Sequence, residues 1–225
     1  MRSIRLHRWE VTPREAAQIQ KDLCSRVVLH DDLADVRIVA GADVAVSKAR
    51  QEGYAAVIAY SLPDLREVER RSARVKVTFP YVPGLLAFRE AQPLLAALRK
   101  LTCEPDVLIF DAQGLAHPRR LGLACHLGLL LDKPTIGCAK SRLIGEFEPP
   151  GARAGDYSLL LDGEEVVGAV LRTRDKVRPV FVSQGHKISL RTCVEIVLKC
   201  CDGYRIPKPT READHLVGMV KRGPG

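Results

Sequence analysis

The chain has 225 residues, a formal net charge of +8 and a sequence pI near 9.3. That length suits one α/β domain spanning residues 1–225, since single domains commonly run to roughly 100–200 residues and somewhat beyond, and it buries its apolar surface without staples. An acidic small-molecule enzyme has no use for such a charge, whereas a basic surface attracts phosphate backbones; charge alone does not decide, because many basic proteins never touch nucleic acid.

Thr12, Pro13 and Glu15 carry the capping box of a helix with proline at its first position, predicted to run to about Arg26. Residues 36–46 are rich in valine and alanine and read as a buried strand. A second strand is expected over 54–61, a turn at Ser61-Leu62-Pro63-Asp64, and a third strand over 67–78. Three strands joined by short turns predict an antiparallel meander. The period then becomes helical over 85–101, through Leu94, Leu95, Leu98 and Leu101. Further along, strands are expected over 107–110, 135–139, 157–161, 166–171 and 180–182, and helices over 120–131, 189–201 and 210–221. Hairpin-paired strands followed by strands alternating with helices imply a mixed sheet covered on both faces. Such a βββαβαβ core resembles the ribonuclease H-like α/β architecture.

Seven cysteines include no C-x-x-C pair, and most sit in apolar stretches where cysteine acts as a small buried hydrophobe. Neither a disulfide framework nor a zinc site is expected, and the composition fits a reducing compartment. Residues 1–10 carry no signal-peptide core, and no apolar run approaches the ~18 residues of a membrane span. The expectation is a soluble cytoplasmic protein with no membrane partner.

Two acids stand where chemistry is common. Asp43 lies in the apolar run Gly41-Ala42-Asp43-Val44, and Asp111 closes Leu108-Ile109-Phe110, at the carboxyl end of a strand where α/β sheets bind ligands. Taken singly, either is as readily a satisfied structural acid or a cap. As a pair on neighbouring strands they raise each other's pKa unless a cation lies between them. Glu90 and Asp214 fall near helix starts, where an acid also suits the dipole. Pro80-Tyr81-Val82-Pro83-Gly84 is a stiff loop able to hold an aromatic wedge in solvent, or an ordinary turn with Tyr81 packed down. Gln113-Gly114-Leu115-Ala116-His117-Pro118-Arg119-Arg120 offers backbone donors, a histidine and two arginines beside Asp111. Lys140 ends an apolar strand and could neutralise phosphate charge there, or simply close the strand at the surface.

Together these segments resemble the endonuclease V family (deoxyinosine 3′ endonuclease). The most specific stretches are Phe79-Pro80-Tyr81-Val82-Pro83-Gly84-Leu85-Leu86-Ala87-Phe88-Arg89-Glu90 and Phe110-Asp111-Ala112-Gln113-Gly114-Leu115-Ala116-His117-Pro118-Arg119. Supporting stretches are Ile136-Gly137-Cys138-Ala139-Lys140-Ser141 and Phe181-Val182-Ser183-Gln184-Gly185-His186. The resemblance implies a Mg²⁺-dependent endonuclease, with Mn²⁺ as substitute, acting as a monomer on inosine-containing DNA in repair. The cut it implies falls at the second phosphodiester bond 3′ to the inosine and leaves a 5′-phosphate. An inosine-specific endoribonuclease, or a module that binds inosine or branched nucleic acid without cutting, is the alternative. By matching positions Asp43, Glu90 and Asp111 would bind metal, with Asp214 as a fourth ligand and His215 as a weaker one. Lys140 would be the catalytic lysine and Tyr81 the tip of the wedge. Pro83, Gly84, Leu85, His117, Gly122 and Leu123 would surround the flipped hypoxanthine. Two departures are Ala112, where relatives often carry glycine, and Gln184, where proline is frequent, which reads as a local loop difference.

Overall fold

Thr12 opens the first helix as its chemistry requires. In the computed structural model, which describes residues 1–222, the Thr12 hydroxyl accepts from the Glu15 N–H, and the Glu15 carboxylate accepts from the Thr12 N–H at 2.8 Å. The helix, α1, spans Pro13–Cys24. Strands β1 (Ile38–Ser47), β2 (Glu52–Ser61) and β3 (Arg66–Lys76) form the expected antiparallel meander. Strand β2 is a continuous apolar run because both its faces are covered, so alternation would serve no purpose.

The chain continues through α2 (Leu86–Leu98), β4 (Val107–Phe110), α3 (Leu123–Leu131) and β5 (Thr135–Ala139). It then adds β6 (Tyr157–Asp162), β7 (Glu165–Leu171), β8 (Val180–His186), α4 (Leu190–Lys199) and α5 (Lys208–Arg222). The eight strands make one mixed sheet in the order β3-β2-β1-β4-β5-β8-β7-β6. The β1–β4 and β4–β5 pairs are parallel and the remainder antiparallel.

Ala40, Ala42, Val57, Leu108 and Phe110 bury one face against Leu94 and Leu98 of α2 and Leu127 of α3. Val39, Ile58, Val107, Ile109 and Ile136 bury the other against Cys193, Val194 and Val197 of α4. Helix α5 lies over β1 and β2, with Val217 on Tyr54 and Ala56. It comes so close that a Cβ on Gly41 would stand 2.2 Å from the Pro209 carbonyl carbon. Only glycine permits that approach, and it brings the start of α5 over the middle of β1.

Two elements differ from expectation. Helix α3 starts at Leu123 rather than Arg120, because residues 115–122 are spent on turns: His117 N–H donates to the Leu115 carbonyl at 2.6 Å, and Arg120 sits at φ 53°. A residue in the left-handed region cannot begin a right-handed helix. Strand β8 reaches His186 and is buried throughout, its polar second half hiding it from any apolar pattern. Those polar groups are satisfied inside: the Ser183 hydroxyl accepts from Gly114 N–H at 2.8 Å, and the Gln184 amide donates to the Leu29 carbonyl at 2.9 Å. Gln184 is therefore a buried strand residue paired with Ile136, not a loop residue. The last three residues of the expected domain, Gly223 to Gly225, lie outside the described residues.

Candidate active site

The parallel register of β1 and β4 pairs Ala42 with Phe110, so the next residue of each strand, Asp43 and Asp111, emerges beside the other. Glu90 reaches the same place from the second turn of α2. The three carboxylates act on one another. Asp43 is pushed up to about 7, first by burial and then by the charge of Asp111. Glu90 is pushed up to about 8, first by burial and then by Asp43. Partly desolvated like charges of this kind are held only at a cost, which protons or a cation relieve.

Lys140, one residue past β5, supplies a cation. Its ammonium lies 2.5 Å from Asp111 Oδ2 and 4.0 Å from Asp214 Oδ2. Burial alone would lower its pKa, but the hydrogen bond and field of Asp111 carry it above the ordinary lysine value. Asp214 hangs from α5 over this cluster and adds to the field on Asp43. His215 turns its Nδ1 to Glu212 Oε2 at 3.5 Å instead.

A cavity of about 420 Å³ adjoins Asp111 and Lys140. Its walls come from Tyr81, Pro83 and Gly84 on one side and His117, Gly122 and Leu123 on another. Leu85 is absent from the wall; its side chain is buried with Ala16, Phe79 and Phe88. Tyr81 is 64% exposed, so the proline-braced loop does hold an aromatic ring in solvent. Gly122 caps α3 without a side chain, and a Cβ there would lie 2.3 Å from the Gln113 carbonyl oxygen. Its bareness draws the Gln113 turn onto the helix start, where the Gln113 carbonyl accepts from Ala124 N–H at 3.1 Å and the Gly114 carbonyl from Gly122 N–H at 3.0 Å. Ala112 lines the cavity too and is not among the residues with positive φ, so its backbone makes no demand for glycine.

The cavity wall is pinned by a network. His117 Nε2 donates to the Gly84 carbonyl at 2.9 Å, and its Nδ1 accepts from Arg119 N–H at 3.1 Å. Those partners fix the neutral tautomer, and burial holds the ring down to about 4. Arg119 donates to the same Gly84 carbonyl at 2.6 Å and to Gln20 Oε1 at 2.6 Å. Buried Gln20, from α1, completes the set by donating to the Leu121 carbonyl at 3.0 Å. Sequence reading missed Gln20, a polar residue on a helix with no motif around it. It also missed Arg205, which donates to the carbonyls of Lys140 and Pro179, each at 2.8 Å, and so fixes the base of the lysine. Partners 65 residues apart leave no local signal.

A mixed sheet with this strand order, helices on both faces and acids where the parallel β1–β4 ladder ends has the architecture of the ribonuclease H-like class, and the relatives it matches are nucleases. The family model described as Endonuclease V matches residues 21–215, and the chain belongs to the endonuclease V family. It is 50% identical over 212 residues to the endonuclease V of Dehalococcoides mccartyi, covering 94% of this chain and 95% of that protein. The crystal structure of endonuclease V from Streptomyces avermitilis superposes with a TM-score of 0.91 at 42% identity, covering 95% of each chain. Ciona intestinalis endonuclease V, crystallised with a 24mer DNA containing an inosine followed by a ribo-adenosine, gives a TM-score of 0.83 at 32% identity. The alignment with it covers 93% of this chain and 97% of that one. No helix among the described residues is long and apolar enough to cross a membrane.

Proposed function

We propose that this chain is a metal-dependent endonuclease that recognises inosine in DNA and hydrolyses the second phosphodiester bond 3′ to it, as a step in DNA repair. The observation that carries the reading is the placement of Asp43, Glu90 and Asp111, the first two of them pushed up by burial and by neighbouring carboxylates, beside a cavity roomy enough for a base and guarded by an exposed aromatic loop. The Ciona relative, crystallised with inosine-containing DNA, supports the choice of base.

The donor set fits a hard divalent cation such as Mg²⁺ or Mn²⁺: three carboxylates offer oxygen only, and a cation relieves the repulsion that lifts two of them. Among the described residues no three acids, histidines or cysteines are already spaced as a closed cage. Asp111 is instead turned to Lys140, so its carboxylate has to be shared between the lysine and a cation. Asp43, Glu90 and Asp111 would hold the cation, with Asp214 at the rim. A cation there supplies an activated water and a stabilised leaving oxygen.

The residues of the chain do the remainder. Lys140 presents positive charge where a phosphate would lie against Asp111. Tyr81 enters the base stack, which the two prolines make possible by stiffening its loop. The cavity receives the base, because a base is read only after it leaves the stack. Hypoxanthine carries a carbonyl and an N1–H where adenine carries an amine and a bare N1. At the start of α3 the N–H groups of Gly122 and Ala124 are taken by the Gly114 and Gln113 carbonyls, whereas that of Leu123 has no partner among the described residues; it suits the carbonyl and would leave adenine's amine facing a donor. Neutral His117 adds no charge to that wall, which suits an uncharged base such as hypoxanthine. The seven free cysteines fit a reducing compartment, and one continuous sheet fits a single domain.

The test is cleavage of end-labelled oligonucleotides bearing one inosine, as DNA and as RNA, with the cut mapped to the nucleotide. A single cut at the second bond 3′ to inosine, faster in DNA, is expected. A cut independent of inosine overturns the base assignment, and a faster cut in RNA moves the substrate to RNA.

A further inference from the structure

A second cavity, of about 590 Å³, lies along the N-terminal segment. Lys76, Val77, Thr78 and Phe79, which lead into the wedge loop, line it, whereas Tyr81 to Gly84 line the cavity beside the acids. The wedge therefore stands at the boundary between two cavities. The second one has a strongly basic rim: Arg5, Arg8, Lys76, Arg89 and Arg99 face a single acid, Glu10. Three of these cations are engaged within the protein. Arg8 pairs with Glu15, Arg89 donates to the Phe79 carbonyl at 2.8 Å, and Arg99 donates to Ser3 Oγ at 2.7 Å. Arg5 and Lys76 are exposed, and their side chains have no hydrogen-bond or ion-pair partner among the described residues. The floor is apolar and aromatic, with Leu6, Trp9, Phe79 and Leu95.

We infer that this cleft holds the DNA strand opposite the inosine, so that the wedge sends one strand to the acids and the other across the Arg5–Lys76 rim. The inference rests on the nuclease reading above. The rim cations come from three segments: the N-terminus, the end of β3 and α2. Borne by separate segments around a cleft of about 590 Å³, they suit successive phosphates of an extended polyanion better than one small anion. The apolar floor suits sugars and base faces. Nothing in the acid site needs this charge, since that site has its own cation in Lys140.

The experiment is salt-dependent binding in EDTA, by anisotropy, to an inosine-containing duplex and to the same inosine strand alone. Wild type is compared with the Arg5→Gln/Lys76→Gln double variant and with Arg191→Gln/Lys199→Gln, an equal charge change on α4 across the sheet; melting curves confirm folding of each. For the duplex, the slope of log affinity against log salt should become shallower by about 1 per charge removed in the cleft variant. It should stay unchanged for the single strand, and for both ligands in the α4 variant. An unchanged duplex slope overturns the inference. So does an equal loss on single strands, or an equal loss in the α4 variant. Cleavage by wild type judges the nuclease reading separately, because the EDTA binding measurement needs no turnover.

Discussion

Asp43 and Glu69 are both withdrawn from water, and their surroundings drive them in opposite directions. Glu69 accepts from the N–H groups of Cys103 and Thr102 and pairs with Arg71, and it is held down to about 2, led by the Cys103 hydrogen bond. It is a satisfied structural acid. Asp43 is pushed up to about 7, chiefly by burial with Asp111 adding to it. The folded values of Asp43 and Glu90 lie above their ordinary values of 3.8 and 4.5, so the metal-free fold retains protons that the unfolded chain loses. Their stabilising contribution is present below about pH 4 and disappears as pH rises through about 7 to 8. Asp43→Asn removes one charge from this strained set. In EDTA near pH 8.5 its Tm should exceed that of wild type by a few degrees, and the gain should shrink as pH falls through about 7 and vanish only below about pH 4. A Tm below wild type at the higher pH would mean the carboxylate is satisfied after all. The acids at β1 and β4 were legible in the sequence because apolar strands rarely carry an unpaired charge. Gln20 and Arg205 were not, because each acts on a partner remote in sequence, through carbonyl groups that every residue possesses.

At the scale of elements, docking of α5 decides whether Asp214 belongs to the site. The helix is held at Gly41 by an approach no side chain tolerates, since any Cβ there meets backbone rather than a movable side chain. Gly41→Ala should cost about 1–3 kcal/mol by overpacking. In chemical denaturation the midpoint falls, and Asp214 is pushed off the cluster, so activity drops further than the stability loss explains at a temperature where the variant is folded. Wild-type stability and activity in Gly41→Ala would contradict this packing. The strand meander and both α/β crossings were readable from period, and the start of α1 from its capping box; in the structure Ser189 opens α4 as Thr12 opens α1. The start of α3 and the length of β8 were not. One turns on the left-handed Arg120, and the other on polar residues satisfied by distant backbone, neither of which a local pattern records.

At the scale of the molecule, the charge of +8 is distributed with a purpose. Part of it rims the cleft beyond the Tyr81 loop, while the acids gather where the parallel β1–β4 ladder ends; on the proposed function a polyanion would be drawn to a surface whose reactive point takes a cation to accept it. The cavity, the wedge and the acid cluster are contiguous, and no single element builds any of them: β1, β4, α2 and α5 give the acids, and α1, α3 and two loops give the cavity. The central claim is that these carboxylates, through a divalent cation, cut the strand. Its most direct test is the single-turnover rate on an inosine duplex as Mg²⁺ is titrated, for wild type and Asp111→Asn. The account predicts no cutting in EDTA, saturable recovery in wild type, and a variant roughly a thousandfold slower at saturation, the loss of several kcal/mol of transition-state stabilisation. Cutting that persists in EDTA, or a variant as fast as wild type, would contradict it.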